Sequence, residues 1–140
     1  MRISNPTPNH MKLFISLFIT VFVSFAFSGC SPETASLVGT YAVEENGQLN
    51  EFIRIEQQGG KFTLSEKQNG RWLTPVEINP VSKAALEKML KEPVNVSFTG
   101  LGNDNVAVIQ VPKGWKAGRF ECKTGVWLAT ILGPVDLHKQ

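Results

Sequence analysis

The chain predicts a mainly β domain with one short helix: an antiparallel meander of about eight strands, curled into a bent sheet or a small barrel, behind a cleaved signal peptide. Three observations carry this. Apolar and polar residues alternate from Leu37 onward. Asn46-Gly47, Gly59-Gly60 and Asn69-Gly70 punctuate the alternation, and such pairs between alternating runs mark tight hairpins because their turns demand positive φ. Ahead of this, LFISLFITVFVSFAF (Leu13 to Phe27) is apolar for 15 residues. A membrane-spanning helix needs about 20, whereas the apolar region of a secretory signal runs about 7–15 behind a positive start.

Arg2 and Lys12 supply that positive start, and Ser28-Gly29 the small residues of a cleavage site. Met11-Lys12 makes a normal signal start by itself, so Met11 is an alternative initiation site. Phe27-Ser28-Gly29-Cys30 resembles the cleavage box of bacterial lipoprotein precursors, with Phe27 where that family usually carries Leu. The resemblance covers the first 30 or so residues. It implies that residues 1–29 are removed, that Cys30 becomes the first mature residue, and that it carries lipid, palmitate included, on its sulfur and amine. Two or more acyl chains hold a protein durably, where one holds it marginally. Ser31, in place of the Asp that in this family often signals inner-membrane retention, points to the outer membrane, with the domain facing the periplasm. CSPETAS (residues 30–36) reads as a short polar tether to a domain spanning residues 37–140.

The expected strands are Leu37–Val43, Glu51–Gln57, Lys61–Lys67, Arg71–Ile78, Val94–Thr99, Asn105–Val111, Gly118–Lys123 and Val126–Leu132. Phe62 and Leu64 point one way and Thr63 and Ser65 the other, as in a sheet with one wet face. The Asn105 and Val126 runs are apolar on both faces, so they are central or covered on both sides. Asn79 as cap and Pro80 at the first position open the expected helix; Val81, Ala85, Leu86, Met89 and Leu90 form its apolar stripe, and Pro93 stops it. Trp72 and Trp127, each within a strand, are expected in the core. Leu37-Val38-Gly39-Thr40-Tyr41 resembles the opening Gly-x-Trp strand of lipocalin-type barrels, with Tyr41 in place of Trp. That resemblance spans five residues and implies a barrel.

Several function classes find no residues to serve them. Removing Arg2 and Lys12 takes 14 basic residues to 12, against 12 acidic ones, so the net charge of +2 falls to zero. A neutral domain has no electrostatic footprint for nucleic acid. Of two cysteines, Cys30 is assigned to lipid and Cys122 to the core, because free Cys is among the most buried residue types. Past the signal, His138 is the only histidine, so no Cys/His spacing for zinc exists and no nucleophile–base pair is visible. Asn103-Asp104-Asn105 lacks the acidic spacing of a calcium loop and reads as a turn. No metal, cofactor or enzymatic activity is expected.

Pro112 to Arg119 places Trp115 between Lys113 and Lys116, with Arg119 close by, in a glycine-punctuated loop. Trp and Arg are favoured interface anchors. Trp115, Lys116 and Arg119 are therefore a candidate partner-contact loop. The alternative has Trp115 folded back to plug the sheet while the cations stay wet. The expected function is a lipid-anchored, periplasm-facing binding module for an envelope protein, or an inhibitor or immunity protein against an incoming enzyme. The alternatives are a carrier of a small apolar ligand and a structural or assembly lipoprotein.

Overall fold

The computed structural model describes residues 32–140. The signal-type run, the cleavage box and Cys30 lie outside the described residues. Gly39–Glu45 (β1), Gln48–Gln58 (β2) and Lys61–Gln68 (β3) form an antiparallel meander. Asn46-Gly47 joins the first two with φ of 53° and 77°, and Asn69-Gly70 joins β3 to Arg71–Trp72 (β4) with 50° and 76°. Positive φ at both central residues matches the right-handed twist of the flanking strands, and Asn-Gly reaches it at little steric cost.

Val76–Pro80 (β5) returns beside β3 and meets Thr99–Gly102 (β6), which pairs with Val106–Gln110 (β7). Trp115–Ala117 (β8) and Phe120–Cys122 (β9) make a separate hairpin. Val126–Thr130 (β10), Gly133–Asp136 (β11) and His138–Lys139 (β12) complete the chain. The sheet runs β11-β10-β7-β6-β5-β3-β2-β1-β12. Only Leu137 separates β11 from β12, and its N–H donates to Val126 O at 2.9 Å. One continuous stretch thus pairs with β10 at one end of the sheet and with β1 at the other, leaving a nearly closed antiparallel barrel without long free edges.

Two apolar layers follow from the alternation. Tyr41, Ile53, Ile55, Phe62, Leu64, Ile78, Leu101, Val108, Leu128 and Leu137 fill the barrel interior. On β7 and β10 the opposite face is also buried: Ala107, Ile109, Trp127 and Ala129 pack under Leu86, Val94 and Cys122. The two-faced apolar runs are therefore covered on both sides, by the helix Lys83–Leu90 (α2), the stretch after it and the β8–β9 hairpin. Tyr41 is fully buried and its hydroxyl donates to Leu37 O at 2.6 Å.

The structure corrects several expected boundaries. The expected strand Arg71–Ile78 is two: Pro75 has no N–H to give a ladder, and the chain breaks between β4 and β5. Asn79 and Pro80 stay in β5, opposite Gly102 and Leu101. The helix cap is instead Ser82, whose side chain accepts from Ala85 N at 3.1 Å. Helix α2 ends at Lys91, in the left-handed region at φ 58°, two residues before Pro93. Val94–Thr99 is not a strand; residues 92–98 cross the outside of the barrel, where Val94, Val96 and Phe98 alternate because they meet the outer layer. The expected Gly118–Lys123 strand is one arm of the β8–β9 hairpin, turning at Gly118 with φ 58°. Val126–Leu132 stops at Thr130, and the closing stretch, β11 and β12, was not expected at all. Trp72 is not core. Strand β4 lies off the main path, so its ring rests half-buried, 4.6 Å from the Arg54 guanidinium and 5.3 Å from Lys67 Nζ.

Pro32–Ala35 form a helical turn (α1) instead of extended tether. Thr34 is buried, and Ser36 Oγ donates to the Gln110 side chain at 3.0 Å. The chain thus enters the barrel at the C-terminal end of β7.

Candidate functional site

Strand alternation fixes two unlike ends. The entry end carries Gly59-Gly60, the start of β1 and the first residues of α2 and of the β8–β9 hairpin, both of which run along the outer wall as far as Thr130, Gly133 and Pro134. The far end carries the turns after β1, β3, β6 and β10. Strand β7 links the two: Gln110 sits beside Ser36 at the entry end, and Val106 opposes Thr130 at the far end.

The far end holds an unusual turn. Thr130 and Gly133 are paired, so the β10–β11 loop is Ile131-Leu132 alone. Two-residue hairpin loops are normally built from Asn, Asp and Gly, because primed turns need positive φ. Neither Ile131 nor Leu132 has positive φ. The Thr130 hydroxyl holds the turn instead: it accepts from Leu132 N at 3.2 Å and donates to Gly133 O at 3.0 Å. The consequence is two adjacent large aliphatic side chains exposed by 89% and 95%.

Behind this turn lies a recess of about 530 Å³ at the barrel mouth. Phe52, Val76, Leu128 and Val135 supply its apolar wall, and Asn103 and Asn105 part of its rim. Val76 is itself 46% exposed. Asn103 is held by its own turn, its Oδ1 accepting from Asn105 N and Val106 N at 2.9 and 3.1 Å. The expectation of a turn at Asn103-Asp104-Asn105 describes this geometry. Glu66 is the recess's charged residue; it shares a strand face with Leu64 in the barrel core and has no ion-pair partner among the described residues.

The candidate loop Trp115, Lys116 and Arg119 lies on the β8–β9 hairpin, which packs on the outer wall with its turn beside Gly133 and Pro134. Trp115 folds back, its ring centroid 5.7 Å from that of Trp127, while Phe120 meets the same indole at 5.5 Å. Lys116 pairs with Glu121 at 3.7 Å, and Arg119 is exposed at the hairpin turn. The hairpin therefore uses its aromatic residue to cover the barrel wall. Under it, Cys122 is a free, fully buried thiol, pushed up to about 11 by burial first and then by the Asp136 carboxylate. Burial likewise pushes the Tyr41 hydroxyl up to about 12.

No group of His, Cys, Asp and Glu among the described residues is arranged to hold a metal ion. His138 approaches Glu44 at 3.8 Å on the outside of the barrel. No described helix is long and apolar enough to cross a membrane.

The apolar run Val126–Leu132 reads as one strand in the sequence, so it hides the Ile131-Leu132 turn. The available signal was Gly133-Pro134: a strand that must stop before them leaves the preceding two aliphatics at the turn. No known protein family, curated protein or solved structure matches the chain.

Proposed function

We propose that this protein is a lipid-anchored, periplasm-facing binding module that engages a protein partner with the far end of its barrel. The observation that carries the reading is the Ile131-Leu132 turn, exposed beside the apolar mouth recess. Scattered exposed aliphatics are ordinary, but an adjacent pair against a recess makes a patch of the kind that marks interaction sites. Fully burying both side chains would contribute about 3–6 kcal/mol, which is roughly a hundred- to ten-thousand-fold in affinity before the cost of association.

The anchor position fits this orientation. Cys30 precedes α1 by two residues in the sequence, and the chain that follows α1 meets Gln110 at the barrel end opposite the exposed turn, so a lipid on Cys30 would favour the entry end at the leaflet and leave the far end free. The carrier alternative is left with the mouth only, because side chains fill the barrel interior.

Two measurements test the reading. Mass spectrometry of the native protein should find an N-terminal, acylated Cys30; an unmodified or disulfide-bonded Cys30 would remove the anchor. Pull-down from envelope extract with wild type and with the Ile131→Ser/Leu132→Ser double variant should recover a partner with the former alone. Equal recovery with both would refute the far end as the binding surface.

A further inference from the structure

Resting on the far-end reading, we infer that the partner segment seated in the mouth recess is a basic, apolar peptide: an aliphatic or aromatic side chain fills the recess while a neighbouring Lys or Arg meets the Glu66 carboxylate. The recess itself argues for this pairing. Its wall is apolar, its rim offers amides, and its charge is the Glu66 carboxylate, which no cation of the described chain neutralises.

The surrounding charge has the same sign. The domain is neutral overall, yet its charges are segregated. The strand ends and turns at the far end carry Glu44, Glu45, Glu51, Glu66 and Asp104, with Glu92 beside Thr130 and Gly133, against Lys67, Arg71 and Arg119 of the neighbouring hairpin turn. Lys67 is committed to Glu51. A field of this sign attracts a cationic segment and speeds its encounter.

The same observations disfavour the two other occupants. A second copy docked mouth to mouth would bring two Glu66 carboxylates and two acidic rims together, and like charges across an interface cost affinity. An anionic lipid surface would meet the same repulsion, although the exposed aliphatic pair alone would suit it.

The test uses the protein as recovered from its producing cell, reconstituted in phosphatidylcholine nanodiscs, and a displayed library of random 12-residue peptides. The expected enriched peptides pair a large apolar residue with Lys or Arg. Leu132→Ser should abolish enrichment. Glu66→Gln should weaken the best peptide tenfold or more and erase the basic preference while keeping the apolar one, and Glu66→Lys should reverse the preference to acidic peptides. That reversal is a gain that misfolding cannot produce. Absence of enrichment over the Leu132→Ser control, enrichment of uncharged or acidic peptides by the wild type, or an unchanged preference in Glu66→Gln would overturn the inference. So would Leu132-dependent self-association in sedimentation, or tighter binding to phosphatidylglycerol vesicles than to phosphatidylcholine ones. If the pull-down still depends on Ile131 and Leu132 while the basic preference fails, only the peptide chemistry falls and the binding-end reading stands.

Discussion

Trp115 lies stacked on Trp127, ring centroids 5.7 Å apart and planes inclined by 21°. The contact joins two separate sheets: β8 of the small hairpin and β10 of the barrel. Trp127 is fully buried as a result, and its outward face belongs to the second apolar layer. Trp115→Ala should destabilise the fold by about 1–3 kcal/mol, from lost apolar burial and lost ring contact. Lys116→Ala, whose exposed pair with Glu121 is 3.7 Å long, should change it by less than about 0.5 kcal/mol. Urea unfolding of both variants measures this; an unaltered midpoint for Trp115→Ala would mean the hairpin does not cover the barrel in solution.

Alkaline sensitivity follows from the two buried acids. The Cys122 thiol is raised from 9.0 to about 11 and the Tyr41 hydroxyl from 10.0 to about 12. Each therefore keeps its proton longer when folded than when unfolded. Between pH 9.0 and about 11, and again between 10.0 and about 12, the folded chain binds more protons, so stability falls as pH rises. Well below pH 9.0 both groups are protonated in either state and neither contributes a slope. Urea midpoints taken from pH 8 upward should decline in that window, and Cys122→Ala should flatten the first part of the decline. A decline unchanged by that substitution would discard the thiol as its cause.

Gly102 is a site where any side chain must collide. A Cβ there would stand 2.5 Å from Val106 O and 2.6 Å from Ala107 Cβ, because β6 and β7 turn tightly at Asn103. Gly102→Ala should cost about 1–3 kcal/mol, as overpacking does. The neighbours here are backbone and a fixed methyl, so no long side chain can swing away. Thermal unfolding within 1 °C of wild type would contradict the close approach.

The helix cap separates what the sequence displayed from what it hid. Ser82→Ala should cost about 1 kcal/mol by removing the acceptor for Ala85 N, while Asn79→Ala, on an exposed strand position, should cost far less. Calorimetry that ranks the two the other way would restore Asn79 as the cap. Asn79-Pro80 carries every local mark of a helix start. The pairing of β5 with β6 overrides it, because two more ladder positions are gained by staying extended.

The same contrast runs through the molecule. The Asn-Gly turns and the alternation of β1 to β3 are local, and they were legible. The double burial of Val106–Gln110 and Val126–Thr130 was legible too, since residues apolar on both faces need cover on both. Closure of the barrel was not, because Gly133 to Lys139 is short, begins Gly-Pro and makes sense only beside strands remote in sequence. The exposed turn stayed hidden for a related reason: Ile131 and Leu132 extend an apolar run, and only the pairing of Thr130 with Gly133 ends it. Trp115 is an intermediate case. A Trp between lysines fits both an interface anchor and a ring folded back on the sheet, and the sequence offers both; which strand receives the ring is settled only by Trp127, remote in the chain.

The most direct test of the far end as the binding surface is site-specific photo-crosslinking in the producing cell. A photoreactive residue at Leu132 should give a discrete protein adduct, and one at exposed Gln57, by the entry end of β2, should not. Adducts of equal yield and size from both positions, or none above background from Leu132, would contradict it.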